Sequence, residues 1–209
     1  MVGQGVLREC LLDPEVRHVL SIGRNLTGQQ HPKFREVVHK NFLDFSSLEK
    51  ELSNFDACFY CLGVSSVGMP EERYREITYD YTMALARVLV RLNPAMTFIY
   101  VTGMGTDGTE QGRVAWARVK GATENALLKL PFKAAYMFRP AAIVPMHGIR
   151  SKTAVYQVFY NLLRPILPFL YAKFPKYFTT TEQIGRAMLK LAKDGRSKAV
   201  LENADINAV

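Results

Sequence analysis

A chain of 209 residues with 48% hydrophobic and 22% charged side chains has enough apolar material for one large domain, and it excludes a disordered or fibrous protein. Its formal net charge of +8 is unevenly placed: ten basic against two acidic residues fall between positions 150 and 198. That excess fits a solvated basic face, an anionic substrate or cofactor phosphate, or peripheral contact with an anionic membrane surface or a protein; with no recognised binding motif beside it, nucleic acid is not expected. Three cysteines, an odd number, point to a reducing compartment. The opening residues are not a basic then apolar leader, and the most apolar stretch, Ala154 to Ala172, is interrupted by Gln157, Asn161, Arg164 and two prolines. The expected location is the cytoplasm.

The chain opens on Gly3-Gln4-Gly5 and a helix pattern over about 6–12. Strands are predicted at 18–23, 36–39, 56–63, 96–103 and 134–140, the last stopped by Pro140. Helix patterns fall between them at about 46–53, 71–93 and 112–130. Beyond Pro140 the composition turns aromatic and basic. Thr179-Thr180-Thr181-Glu182 has capping-box spacing and predicts a helix through Lys193 ended by Gly195, followed by a short strand over 198–202. Strands alternating with helices imply right-handed βαβ units and a parallel sheet covered on both faces. The expected fold is α/β, a Rossmann-like doubly wound sheet over 1–149, with a helical C-terminal region over 150–209 packed on the same domain.

In such a sheet ligands meet the carboxyl ends of the strands, so the residues just after each strand are the candidates. Gly3 and Gly5 look like the back half of a dinucleotide-binding fingerprint whose strand and first glycines are absent. Arg24 stands 21 positions beyond Gly3, where an acid would meet a ribose 2′-hydroxyl. An arginine there pairs with a 2′-phosphate and favours NADP, with NAD the alternative; it reads equally as a surface arginine. Asp44, beside Phe45, is placed to accept from an adenine amino group or to act as a helix N-terminal acid. Cys61, Leu62 and Gly63 end the third strand, and Gly63 lets backbone approach a cofactor. Cys58 and Cys61 have redox-pair spacing, but on a strand residues three apart face opposite sides. His18, His31, His39 and His147 are scattered without ligand spacing, so no metal is expected.

The segment from Phe98 to Pro140 is the most specific. A strand ends at Thr102; a glycine-rich loop leads into a helix carrying Trp116-Ala117-Arg118-Val119-Lys120, then Gly121 and Glu124; another strand ends Phe138-Arg139-Pro140. This arrangement resembles the atypical short-chain dehydrogenase/reductase superfamily, the NAD(P)-dependent epimerase/dehydratase-like proteins with their Tat-interacting oxidoreductase branch, over essentially the whole chain. The resemblance implies that Gly3 matches the last glycine of the pyrophosphate motif. It implies that the catalytic Ser or Thr falls at Thr102 or Gly103, that Lys120 binds the nicotinamide ribose, and that Pro140 and Ile143 approach the nicotinamide. The family's Tyr-x-x-x-Lys falls on 116–120, where position 116 is tryptophan. An indole N–H donates a hydrogen bond but cannot act as a base. Trp116 is therefore expected to wall the nicotinamide or to pack the helix on the sheet.

Two functions follow as expectations. One is an NAD(P)-dependent oxidoreductase or epimerase-like enzyme with a non-standard acid, acting on a small or apolar carbonyl, with Tyr156 or Tyr160 as a substitute hydroxyl. The other is a catalytically degenerate NADP(H)-binding module that regulates a protein partner or senses redox state. In either case the fold's central first strand has no counterpart in the sequence. The expectation is a misassigned start, with Met1 an internal methionine.

Overall fold

The computed structural model describes residues 1–149 and 173–209. The aromatic candidates Tyr156 and Tyr160, and three of the ten basic residues between 150 and 198, lie outside the described residues. Helix α1 spans Val2–Leu12, β1 Val19–Gly23, β2 Phe34–Val38 and β3 Ala57–Tyr60. A helical rod follows: α2 Glu71–Arg75, a π turn Glu76–Asp80 and α3 Tyr81–Leu92. Then come β4 Thr97–Val101, α4 Ala115–Leu128, β5 Ala134–Arg139, β6 Ala142–Val144, β7 Phe178–Thr180, α5 Thr181–Asp194, β8 Val200–Glu202 and α6 Asn203–Asn207. All strand pairs are parallel.

The sheet is interrupted. β1 pairs with β2, and β3-β4-β5-β8 form a separate four-stranded sheet; among the described residues no strand pairing joins β1 to β3. Helix α1 packs against both β1 and β3, across the break. Strand alternation places the core on both faces of the larger sheet. Phe98, Tyr100 and Met137 face a layer built from α3 and α4, through Met83, Leu89 and Leu127. Ile99, Phe138 and Leu201 face the other layer, α1 and α5, through Val6, Cys10, Ile184 and Met188. A short third sheet, β6 with β7, extends the carboxyl end beyond Pro140.

Several boundaries differ from the sequence reading. The segment expected as a helix over 46–53 forms only a 3-10 turn at Ser46–Leu48. There the Asp44 carboxylate accepts from the Ser46 amide at 2.9 Å and Asn54 takes a positive φ of 67°, so the turn is closed at both ends before a helix can propagate. The rod over 71–92 holds a π turn that periodicity does not reveal. Thr180, not Thr179, caps α5, accepting from the Gln183 amide at 2.9 Å. Glu182, expected as the reciprocal capping acid, is paired with His147 and Arg186 instead. The strands β6 and β7 and the helix α6 are not anticipated by the sequence pattern.

Candidate functional site

The carboxyl ends of β4 and β5 converge on one polar cluster. Thr102, just past β4, is 6% exposed and its hydroxyl points inward. It lies 2.6 Å from Glu124 Oε1 and 3.0 Å from the Phe138 carbonyl, so its single proton is already committed. Glu124, on α4, is 1% exposed. It accepts from Arg139 Nε at 3.1 Å and Nη2 at 2.5 Å. Arg139 Nη1 reaches on to Glu202 of β8 at 3.1 Å. One buried carboxylate thus ties β4, α4, β5 and β8 together beneath the site. The carboxylates raise the Arg139 pKa further above its ordinary value.

Above this anchor sits Lys120. It lies one helical turn before Glu124, on the same face of α4. Its Nζ donates to the Thr102 carbonyl at 2.5 Å, and no ion pair engages it among the described residues. A Cβ built on Gly103 would stand 3.6 Å from Lys120 Nζ and 3.9 Å from the Pro140 carbonyl, so the ammonium lies beside the bare backbone between the two strand ends. Burial holds its pKa down to about 8, with Glu124 acting in the opposite sense. Trp116, one turn earlier, is half-buried. A Cβ at Gly105, in the loop after β4, would lie 3.5 Å from the indole Cη2, so the ring lies against that loop.

The loop itself is docked by the helix beneath it. The Asp107 amide donates to the Ala117 carbonyl at 3.1 Å. A Cβ on Gly121 would overlap the Asp107 carbonyl, a backbone atom that cannot swing aside. Gly121→Ala is therefore expected to cost about 1–3 kcal/mol by overpacking and to lift the loop from α4. Chemical denaturation checks the first, and added proteolysis between residues 102 and 112 the second.

The other candidates fall into two groups. Gly3 lies in the first turn of α1, and a Cβ there would stand 3.4 Å from Cys61 Cβ. The α1 N-terminus, without a side-chain cap, therefore lies just beyond the carboxyl end of β3. Gly63 is exposed, with nothing within 4 Å of a Cβ at its position. Arg24 is exposed immediately after β1, with no ion-pair partner among the described residues. Pro140 is buried, its carbonyl accepting from the Met104 amide at 2.9 Å.

The second group is committed to the fold. Gly5 is inside α1, where a Cβ would stand 2.6 Å from Thr181 Cβ and 2.7 Å from its carbonyl oxygen; its lack of a side chain serves helix packing. Phe45 is 1% exposed, its ring 4.8 Å from that of His39 and 5.7 Å from that of Phe42, so only its backbone can meet a ligand. Asp44 is exposed, its carboxylate engaged by Ser46 and its pKa lowered by that backbone contact. Cys61, Leu62 and Ile143 are half-buried against the core. Burial pushes the Cys10 and Cys61 thiols up to about 12 and Cys58 higher still, which keeps all three protonated.

The Glu124–Arg139 pair is the feature that motif reading missed. Its signal was present: an acid four residues past Lys120 falls on the same helix face, and an arginine ends the next strand. A shallow recess of about 440 Å³ between α1 and α5 is lined by Glu9, Asp13, Arg186 and Lys193. It lies away from the strand ends, and its charges pair with one another. Among the described residues, no cluster of three or more metal-ligating side chains exists and no helix is long and apolar enough to cross a membrane.

No family model and no curated protein matches the chain. Among solved structures it is similar to the Bordetella bronchiseptica enzyme WbmG in complex with NAD, with a TM-score of 0.70 and 12% identity over 97% of this chain and 68% of that one. It is similar to Helicobacter pylori ADP-L-glycero-D-manno-heptose-6-epimerase, with a TM-score of 0.66 and 16% identity over 97% of this chain and 73% of that one. An oxidoreductase of the short-chain dehydrogenase/reductase family from Burkholderia thailandensis gives 0.65 and 15% over 99% and 88%. The likeness is one of fold: the chain has the Rossmann-like α/β architecture of these enzymes.

Proposed function

We propose that the protein binds a nicotinamide dinucleotide and acts as an oxidoreductase or epimerase of the short-chain dehydrogenase/reductase type, in the cytoplasm, on a small apolar carbonyl compound. The observation that carries this reading is Lys120. A half-buried ammonium whose partner among the described residues is a backbone carbonyl stands where β4 and β5 end. Buried charges are normally paired, so this one is suited to donate to ligand hydroxyls. The rest of the carboxyl-end surface fits the same group. The N-terminus of α1, which has no side-chain cap hydrogen bond, offers a positive dipole end to a pyrophosphate. Exposed Arg24 suits a ribose 2′-phosphate, and the open backbone at Gly63 leaves room for the dinucleotide. The dinucleotide supplies hydride transfer; the chain's residues bind, orient and neutralise it.

Arg24 makes the reading specific for NADP over NAD. Arg24→Glu is expected to weaken NADPH binding roughly 10–100-fold, the loss of a charge-assisted pair plus repulsion, and to leave NADH binding nearly unchanged. Trp116 is the only tryptophan in the chain and sits at the site, so its fluorescence reports binding directly. Equal losses for both cofactors would remove the assignment to NADP, and no quenching by either would remove the cofactor.

Trp116 also favours a second reading, a binding module in which the dinucleotide regulates a protein partner. Under that reading Trp116→Tyr creates no turnover with any carbonyl substrate, while NADPH changes the affinity for the partner.

A further inference from the structure

We infer that Lys120 is itself the general acid of the reduction, delivering a proton directly to the substrate carbonyl oxygen; this rests on the oxidoreductase reading above. Among the described residues, every other proton donor at the convergence of β4 and β5 is committed or chemically unsuited. The Thr102 hydroxyl is turned into the protein against Glu124 and the Phe138 carbonyl. The neighbouring Thr106 hydroxyl donates to the Gly103 carbonyl at 2.7 Å. The Trp116 indole holds its N–H proton too tightly to transfer it. Lys120 spends one of its three N–H bonds on the Thr102 carbonyl and lies beside the bare backbone of Gly103. Two N–H bonds remain for a ligand.

The electrostatic setting suits a group that must lose and regain a proton. On its own helix Lys120 faces Glu124, and that carboxylate is neutralised from β5 by Arg139. From α2, Glu71 is taken by Arg118, and at the junction with the π turn Glu76 is taken by Arg73. Asp80 is the other acid of the π turn that packs on α4. Among the described residues the ammonium has no carboxylate in an ion pair with it, and burial, opposed by the more distant Glu124, brings its titration down to about 8.

The step balances. The carbonyl carbon accepts a hydride from a dihydronicotinamide while its oxygen takes a proton from Lys120. The C=O π bond breaks, and a C–H and an O–H bond form. The carbonyl is reduced to an alcohol, the dihydronicotinamide is oxidised to the pyridinium, and Lys120 is left as a neutral amine that takes a proton back from water.

The test begins without cofactor. Trp116 fluorescence, followed against pH, is expected to show a transition with its midpoint near 8 that is absent in Lys120→Met. A midpoint at the ordinary lysine value, or a transition that survives in Lys120→Met, overturns the inference whatever the activity. Lys120→Arg then separates charge from proton delivery, because guanidinium keeps the charge and does not release a proton. At NADPH concentrations that saturate it, read by quenching of Trp116, its carbonyl reduction is expected to fall at least about 100-fold. Lys120→Arg with undiminished turnover overturns the acid role alone. Parent protein that binds NADPH but reduces no member of an aldehyde, ketone and quinone panel overturns the oxidoreductase reading, and the acid role with it. Protein that does not bind NADPH fails at the cofactor and is distinguished from both.

Discussion

Glu124→Ala will cost the protein about 3–5 kcal/mol, more than any other single replacement at the site, because it strands a largely buried guanidinium. Glu124 is 1% exposed and its two oxygens take the Thr102 hydroxyl and two Arg139 nitrogens. Arg139 is 17% exposed and keeps only Glu202, itself half in solvent, once Glu124 is gone. Truncation also opens a cavity below the end of β4. Glu124→Gln retains the shape and an acceptor for Thr102, and should lose less. The double replacement Glu124→Ala with Arg139→Met should recover part of the loss, since an apolar pair leaves no unpaired charge. Urea denaturation of the parent, Glu124→Ala, Arg139→Met and the double variant measures the cycle. A loss below about 1 kcal/mol for Glu124→Ala would show that the pair is solvated after all.

The second large effect is a gain. Joining an apolar strand of about five residues to Met1 through a tight glycine turn will stabilise the chain by on the order of 3 kcal/mol. β1 and β3 lie in separate sheets, and among the described residues neither pairs with the other. Gly3 lies against Cys61, just beyond β3, so a strand feeding α1 would end at the same sheet edge and run parallel to both neighbours. Such a strand would satisfy backbone groups on two sides at once, each bond contributing about 0.5–1.5 kcal/mol net. Hydrogen exchange should slow at Leu20, Ile22, Ala57 and Phe59, whose amides face away from β2 and β4. Unchanged midpoints, with unchanged exchange, would mean that the α1 contacts already close the break.

Most of the α/β alternation was legible, for reasons visible in particular residues. Phe98, Ile99 and Tyr100 form an uninterrupted apolar run because β4 is covered on both faces, and such runs are read without the rest of the fold. Trp116 to Lys120 was legible because helical spacing alone puts both on one face. What escaped was set by contacts far apart in sequence. Asp44 and Ser46 look like the start of a helix until the turn they close is seen. Gly5 looks like a phosphate glycine until Thr181 is found against it. Glu124 looks like an ordinary helical acid until Arg139 arrives from the next strand.

The crossing of α1 and α5 has a consequence for how the chain acquires its structure. Gly5 and Gly185 let the two helices meet closely, and Arg186 joins Glu9 across 177 positions while Lys193 joins Asp13 across 180. Closing loops of that length slows folding more than it lowers final stability. During synthesis α1 precedes α5 by most of the described chain and has only β1 and β3 to pack on until its main partner is made. The first turn of α1 is thus expected to be among the last parts of the described fold to be locked, after α5 has emerged.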